Sequence, residues 1–461
     1  MSKLDEFRVV SVVESDDSSY SKDDTEYTID NSSSSTLNNS SSSLDDKLGN
    51  RSSKKRRKED NNEEEEDSND NSDDVDSEKT ILLHKRSRSY SFNKRQYWAD
   101  CARIFSMLAV ILLHCACYDL ELDTKAKNDS CWIVILVYNC LTRFGVPVFV
   151  LLSGTFILDP SRPFSFEKLF RRSILRLVTA YIFWSFVNAI FYIFSDENAP
   201  SLFSLDFLGQ FFIRFVGGQE YLWFIYMIVG CYLISPFLRY FSDDVIMARY
   251  FLVLALFFGS LLPSLYNLFG ALRMEAAADG VQIWINRWHF HFTLEFVGYF
   301  VAGYHFVKYV DIKSVRVRFF LYLFTIVDII FIICGTYYAE VHDPNNDYSH
   351  HFRGTNCITI VYYSMVVFIF FKHEVSEIRL SKKAINIITK WSSLTFGMYL
   401  SHLIFRDMLA YFFHISQTEF LGVIKYSPVI GIPILWVILT VLSTIFSYVV
   451  SNIPILKDYI I

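Results

Sequence analysis

From Trp98 onward the chain keeps returning to apolar runs of about 18–25 residues, each long enough to cross the ~30 Å hydrocarbon core of a bilayer. No other feature constrains the fold as much. In lipid every backbone N–H and C=O must be satisfied internally, which leaves helices or closed barrels. Continuous apolar runs of this length read as helices. Ten cores can be traced, at 103–117, 132–158, 175–194, 222–241, 250–269, 290–310, 319–339, 355–371, 392–413 and 428–450. The expected fold is all-α, a polytopic membrane helix bundle of about ten transmembrane helices.

Residues 1–95 have the opposite character. They hold Ser/Asn tracts (NSSSSTLNNSSSSLDD), a basic block (KKRRK) and an acidic block (EEEED), with 16 Lys and Arg against 23 Asp and Glu. The chain's net charge of -6 therefore originates in this tail. Low hydrophobicity with many charges keeps a segment disordered, so 1–95 is expected as a disordered cytoplasmic tail and 96–461 as the transmembrane domain. KKRRK reads as a solvated charge run, and nothing points to nucleic acid. Ser87 and Ser89 in KRSRSYSF suit basophilic kinases, on a basic juxtamembrane segment of the kind that attracts anionic lipid. The opening MSKLDEFRVV is polar, which leaves targeting to the first span.

Orientation follows from the Lys/Arg bias of short loops. KRSRSYSFNKR precedes the first span and RPFSFEKLFRRSILR joins the second to the third, whereas DLELDTKAKNDS, SDENAPSLFSLDF and EVHDPNNDYSHH lie on the other side. Both termini are expected in the cytoplasm, with Asn128-Asp129-Ser130 a glycosylation sequon on the outer face. The Ser/Asn-rich tail fits a eukaryotic plasma membrane or internal secretory membrane. Eight cysteines form no metal or disulfide pattern, and no metal site is expected.

Ionisable residues within spans mark function by default. In CARIFSMLAVILLHC, Arg103 and His114 are eleven residues apart, about 20° past three full turns, so they share a face and lie ~16 Å apart along the axis. Arg103 alone fits a snorkelling anchor and His114 alone a packed imidazole. Together they suit a substrate with an anionic head and a reactive distal end. FRRSILRLVTAY places Arg172 and Arg176 on one helical face beside Arg171, and Arg176 lies a turn deeper than an anchor needs, which favours phosphate or carboxylate. Arg143 sits mid-span before a Gly-Val-Pro break, in a helix whose Gly145, Pro147 and Gly154 free backbone groups to be satisfied by neighbours or by a polar cavity, so that the helix is expected to line something. Glu295 and Asp328 are carboxylates within spans. His402 and Arg406 share a face with Asp407 adjacent, equally an ion pair or part of a site.

These segments resemble the acyltransferase 3 family of integral-membrane O-acyltransferases. Arg103-x10-His114, RFGVPVFVLLSGTFIL, RRSILRLVTAYIFW, EYLWFIYMIVGCYLISPFLR and SSLTFGMYLSHLIF carry the likeness, in order, across the membrane domain and none of the tail. Two positions depart from it: Ala180 stands where many relatives have Pro, and Tyr221 where many have His.

The resemblance implies an acyl-CoA donor, acetyl-CoA by family habit, entering from the cytoplasm. The acceptor is a hydroxyl of a carbohydrate or lipid on the other face, and no cofactor is permanently bound. Arg103, Arg143, Arg171, Arg172 and Arg176 are then the candidates for holding the donor, and His114 the catalytic candidate, as general base or as acyl carrier. Two other readings stay open: a transporter or flippase, and an inactive relative acting as sensor or scaffold.

Overall fold

The computed structural model describes residues 96–117, 130–196, 200–201, 204–288, 296–342 and 351–460. The 1–95 tail with Ser87 and Ser89, the sequon's Asn128, and His289, His291, Glu295 and His350 lie outside the described residues.

Helices dominate: α1 (Tyr97–Cys115), α2 (Ser130–Thr142), α3 (Gly145–Ile157), α4 (Leu175–Phe194), α5 (Leu205–Gly217), α6 (Trp223–Ser242), α7 (Val245–Leu256) and α8 (Leu262–Ala271). They continue as α9 (Glu275–Trp288), α10 (Phe296–Tyr309), α11 (Val315–His342), α12 (Ile358–His373), α13 (Lys382–Phe413), α14 (Pro428–Ser451) and α15 (Pro454–Tyr459). Among the described residues the one sheet is a short antiparallel hairpin, β1 (Glu419–Phe420) with β2 (Ile424–Lys425).

Eight stretches of the described residues are long and apolar enough to cross a bilayer. The chain is an all-α, multi-pass membrane protein. The expected spans 290–310 and 392–413 correspond to α10 and α13, which fall outside those eight. Only 14 residues of the first are helical in the described range, and the second carries Lys382, Lys383, Lys390, Arg406 and Asp407. Both are nonetheless central: Tyr299 to His305 and Leu400 to Ile404 are buried without interruption. Enclosure by protein, not lipid, frees these two helices from the demand for continuous apolarity.

The stretch SDENAPSLFSLDF, expected as an outer loop, leads into a helix of its own, α5. α5 has no buried residue, and its 13 residues reach only ~20 Å, too short to span alone. Its start is capped by Ser204, whose Oγ accepts from the Phe207 N–H at 3.0 Å.

α1 is the most enclosed span, with 67% of its window buried, and α11 the most lipid-facing, with 17%. The second expected span is two helices, α2 and α3, broken at Arg143-Phe144. Pro147 falls in the first turn of α3, where its missing N–H costs nothing. Gly154 explains the tight pairing of α3 with α10: a Cβ there would run into the carbonyl of Phe300, and one on Gly303 into the carbonyl of Leu151. Small residues let two backbones meet in this way where no hydrophobic effect drives helices together. Of the two readings, Gly154 therefore meets the first, contact with a neighbouring helix.

Cations cap carbonyls at one end of the bundle. Lys372 Nζ donates to Phe306 O at 2.7 Å, Arg239 Nη2 to Arg162 O at 2.9 Å, and Arg318 pairs with Glu374 at 2.7 Å. Tyr97 joins them by donating to Ile378 O at 2.8 Å. This is the end at which α1 begins and Arg103 lies.

Candidate active site

Beside α1, at that same end, a cavity of about 380 Å³ opens between α1, α3, α4, α6 and α13. Its mouth is cationic, because Arg103, Arg172 and Arg176 line it. Arg103 is held in place: Nη1 donates to Asp100 Oδ1 at 3.1 Å and to Ser392 Oγ at 3.0 Å, and Ser392 Oγ donates to the same carboxylate oxygen at 2.8 Å. Asp100 is buried and sits in the first turn of its helix, where the macrodipole favours an anion. Arg176 lies over the Phe396 ring at 5.5 Å, a cation–π contact that turns its guanidinium across the opening.

Arg172 comes from a π-helical turn, Leu169–Ile174, that leads into α4. Such turns recur at functional sites because an extra residue re-aims the side chains around it. Arg171 leaves the cavity: it is exposed and pairs with Glu167 at 3.3 Å. The inner part is apolar, lined by Val110, Val146, Phe149, Leu177, Phe224 and Ile228, with Tyr232 and Tyr399 contributing rings. Val110 is one turn before His114.

Past that turn two imidazoles meet. The rings of His114 and His402 are 5.1 Å apart between centroids. His402 is fully buried, and its Nδ1 lies 2.6 Å from Tyr399 O and 3.2 Å from Met398 O. A ring nitrogen facing carbonyls carries the proton, so Nδ1–H donates and Nε2 keeps a bare lone pair. That Nε2 has no hydrogen-bond partner among the described residues. His114, although on the most enclosed helix, stays half-buried.

The surroundings of the pair are ordered. Arg406 Nη1 donates to His114 O at 3.2 Å, while its Nε donates to Asp407 Oδ1 at 2.8 Å. Asp407 also accepts the Tyr192 hydroxyl. Of the two readings of the His402/Arg406/Asp407 group, the ion pair is present, Arg406 with Asp407 at 2.7 Å, and His402 stands beside His114. Tyr221, where relatives often carry His, packs its ring 5.9 Å from His402. Its hydroxyl donates to Leu400 O at 3.1 Å and accepts from Asn188 Nδ2 at 3.0 Å. Ala180, the other departure, is buried.

Arg143 is not brought to the cavity. Its Nε donates to Asn139 Oδ1 at 2.8 Å, in a group with Arg353 and Glu340 described below. Asp328 stays on α11, half-buried, with Oδ2 unpartnered among the described residues. All eight cysteines are free thiols. The residues missed by sequence reasoning are Asp100, three positions before Arg103 on α1, and Ser392, Phe396 and Tyr399, which arrive from α13, far away in the chain. His402 was visible through its shared face with Arg406 and through the segment GMYLSH.

Compared with known families, residues 96–452 match the acyltransferase 3 family model, described as an acyltransferase domain. No curated protein and no solved structure matches the chain.

Proposed function

Because the chain belongs to the acyltransferase 3 family, we propose that it transfers an acyl group, acetyl by preference, from acyl-CoA to a hydroxyl of a carbohydrate or lipid acceptor. The observation that carries this reading is the cavity running from three arginines to within a turn of His114. Coenzyme A is a polyanion with a long thin arm and a terminal thioester. Arg103, Arg172 and Arg176 offer its phosphates charge-assisted bonds at the mouth, and the apolar interior takes the arm and acyl group.

At the inner end His114 acts as general base. It takes the proton of the acceptor hydroxyl as that oxygen attacks the thioester carbon; the C–S bond then breaks, and the imidazolium returns the proton to the departing thiolate. The His402 ring lies 5.1 Å from that of His114 with its Nε2 unpartnered among the described residues, so in this mechanism Nε2 is the group that takes up the second N–H of His114 as the imidazolium develops. A route through an acyl-imidazole on His114 uses the same residues and differs in the trapped intermediate.

The arginine-rich end faces the cytoplasm by the positive-inside bias, with both termini there. The acceptor approaches from the opposite side, in a plasma or internal secretory membrane. Labelled acetyl-CoA supplied to membranes tests the reading. Label is expected in a glycan or lipid fraction with the wild-type chain and absent with His114→Ala. If His114→Ala labels as wild type does while a solute flux is lost, the chain is a transporter and this function is wrong.

A further inference from the structure

Beyond His114, at the end of α1 remote from Arg103, positive charge gathers a second time. Asn139 on α2 donates through Nδ2 to Cys117 Sγ at 3.2 Å, three residues past His114. Its Oδ1 accepts from Arg143 Nε at 2.8 Å and from Arg353 Nη1 at 3.3 Å. Arg353 Nη2 donates to Glu340 Oε1 at 3.1 Å. The side chains of Arg353 and Glu340 are 8% and 5% exposed. Two guanidiniums thus share one carboxylate and one amide oxygen. Arg353 Nε is buried with no hydrogen-bond partner among the described residues. Arg143 spends one of its five donors on Asn139 and keeps a partly exposed surface, as His114 does.

Two other arginines within the bundle are matched one to one with a carboxylate, Arg318 with Glu374 and Arg406 with Asp407. A group needed only to tie α2, α11 and the turn at His351–Arg353 together would use such a matched pair. An unmatched guanidinium within a membrane is costly, and the cost is relieved by an anion that accepts from both forks.

We propose that Arg143 and Arg353 bind an anionic group of the acceptor, a carboxylate or phosphate, and so set a nearby acceptor hydroxyl against His114. Glu340 holds Arg353 in orientation without cancelling Arg143. The site deepens the transfer reading above and rests on it for the role of His114. An acidic sugar and a phosphorylated lipid headgroup offer the same chemistry, a multi-oxygen anion matched to a guanidinium fork beside free hydroxyls.

The test uses the full chain purified in detergent and two ligand pairs that differ in charge. One pair is glucuronate against glucose; the other is a short-chain phosphatidylinositol against an alkyl glucoside. Thermal unfolding is read for every ligand, with acetyl-CoA as a separate ligand. The anionic member of at least one pair is expected to raise the unfolding temperature, with its neutral counterpart inert, and the responding pair identifies the source. Arg143→Gln and Arg353→Gln are expected to weaken that response at least tenfold in ligand concentration while stabilisation by acetyl-CoA persists. Arg353→Lys, which keeps the charge without the fork, recovers part of it. If Arg353→Gln does not fold, half-buried Arg143 carries the comparison. Equal response to charged and neutral ligands, no response to either anion, or a response that survives Arg143→Gln overturns the proposal. Failure of acetyl-CoA to stabilise the chain while an anion does so counts against the donor reading and leaves this site standing.

Discussion

A histidine that is to remove a proton inside a membrane needs its second ring nitrogen held, because a freely turning imidazole presents the wrong tautomer half the time. Under the proposed mechanism His402 supplies that hold: its Nδ1 is committed to the Tyr399 and Met398 carbonyls, which leaves Nε2, unpartnered among the described residues, for His114 to use. Replacing His114 by Ala is expected to lower transfer by about 10²–10⁴-fold, the usual contribution of a positioned base. His402→Leu is expected to act through His114, lowering kcat severalfold or more with the acetyl-CoA KM unchanged; a raised KM at constant kcat would place His402 in binding instead. Arg103→Ala removes a charge-assisted bond worth roughly 1.5–3 kcal/mol, so the acetyl-CoA KM should rise about 10–150-fold. Arg171→Ala is the contrast. Its side chain is exposed and paired with Glu167 outside the cavity, so the same assay should read wild-type values.

At the scale of elements, the decisive contact is α3 against α10. Leu151 and Phe300 expose backbone carbonyls to the opposing helix at the two glycines, and neither carbonyl can retreat as a flexible side chain would. Gly154→Leu and Gly303→Leu are each expected to destabilise the protein by about 3 kcal/mol or more, at the upper end for overpacking or beyond. Folded yield and unfolding temperature in detergent check this. Wild-type values for both variants would mean that the helices do not meet there. The contact also positions function, since α3 brings Val146, Phe149 and Ser153 to the cavity wall. The π-helical turn before α4 works at the same scale, lifting Arg172 to the mouth while Arg171 turns outward.

For the whole molecule, charge sorts to one end. Arg103, Arg172, Arg176, Arg239, Arg318 and Lys372 all lie at the end where α1 begins, and the proposed function takes that end as cytoplasmic, in line with the positive-inside bias. An epitope placed before Met1 should be reached in intact cells only after the membrane is permeabilised. Accessibility without permeabilisation would invert the orientation and move the donor mouth to the wrong compartment.

The sequence by itself determined the all-helical membrane fold, because a run of apolar residues in lipid has no alternative to internal hydrogen bonding. It also placed Arg103 and His114 on one face, because helical geometry relates residues eleven apart without help from any neighbour. The broken second span was legible too, although the break falls at Arg143-Phe144, just before the Gly-Val-Pro motif. The tertiary structure alone decided which arginines share a cavity: Arg103, Arg172 and Arg176 line one with Ser392 and Phe396, while Arg143, equally within a span, joins Arg353 and Glu340 elsewhere. It alone brought His402 beside His114, 288 positions earlier in the chain, and Arg353 beside Arg143. Such pairings depend on which helix faces pack together. That choice is made by small residues and buried polar groups distributed over many helices, and no local spacing encodes it.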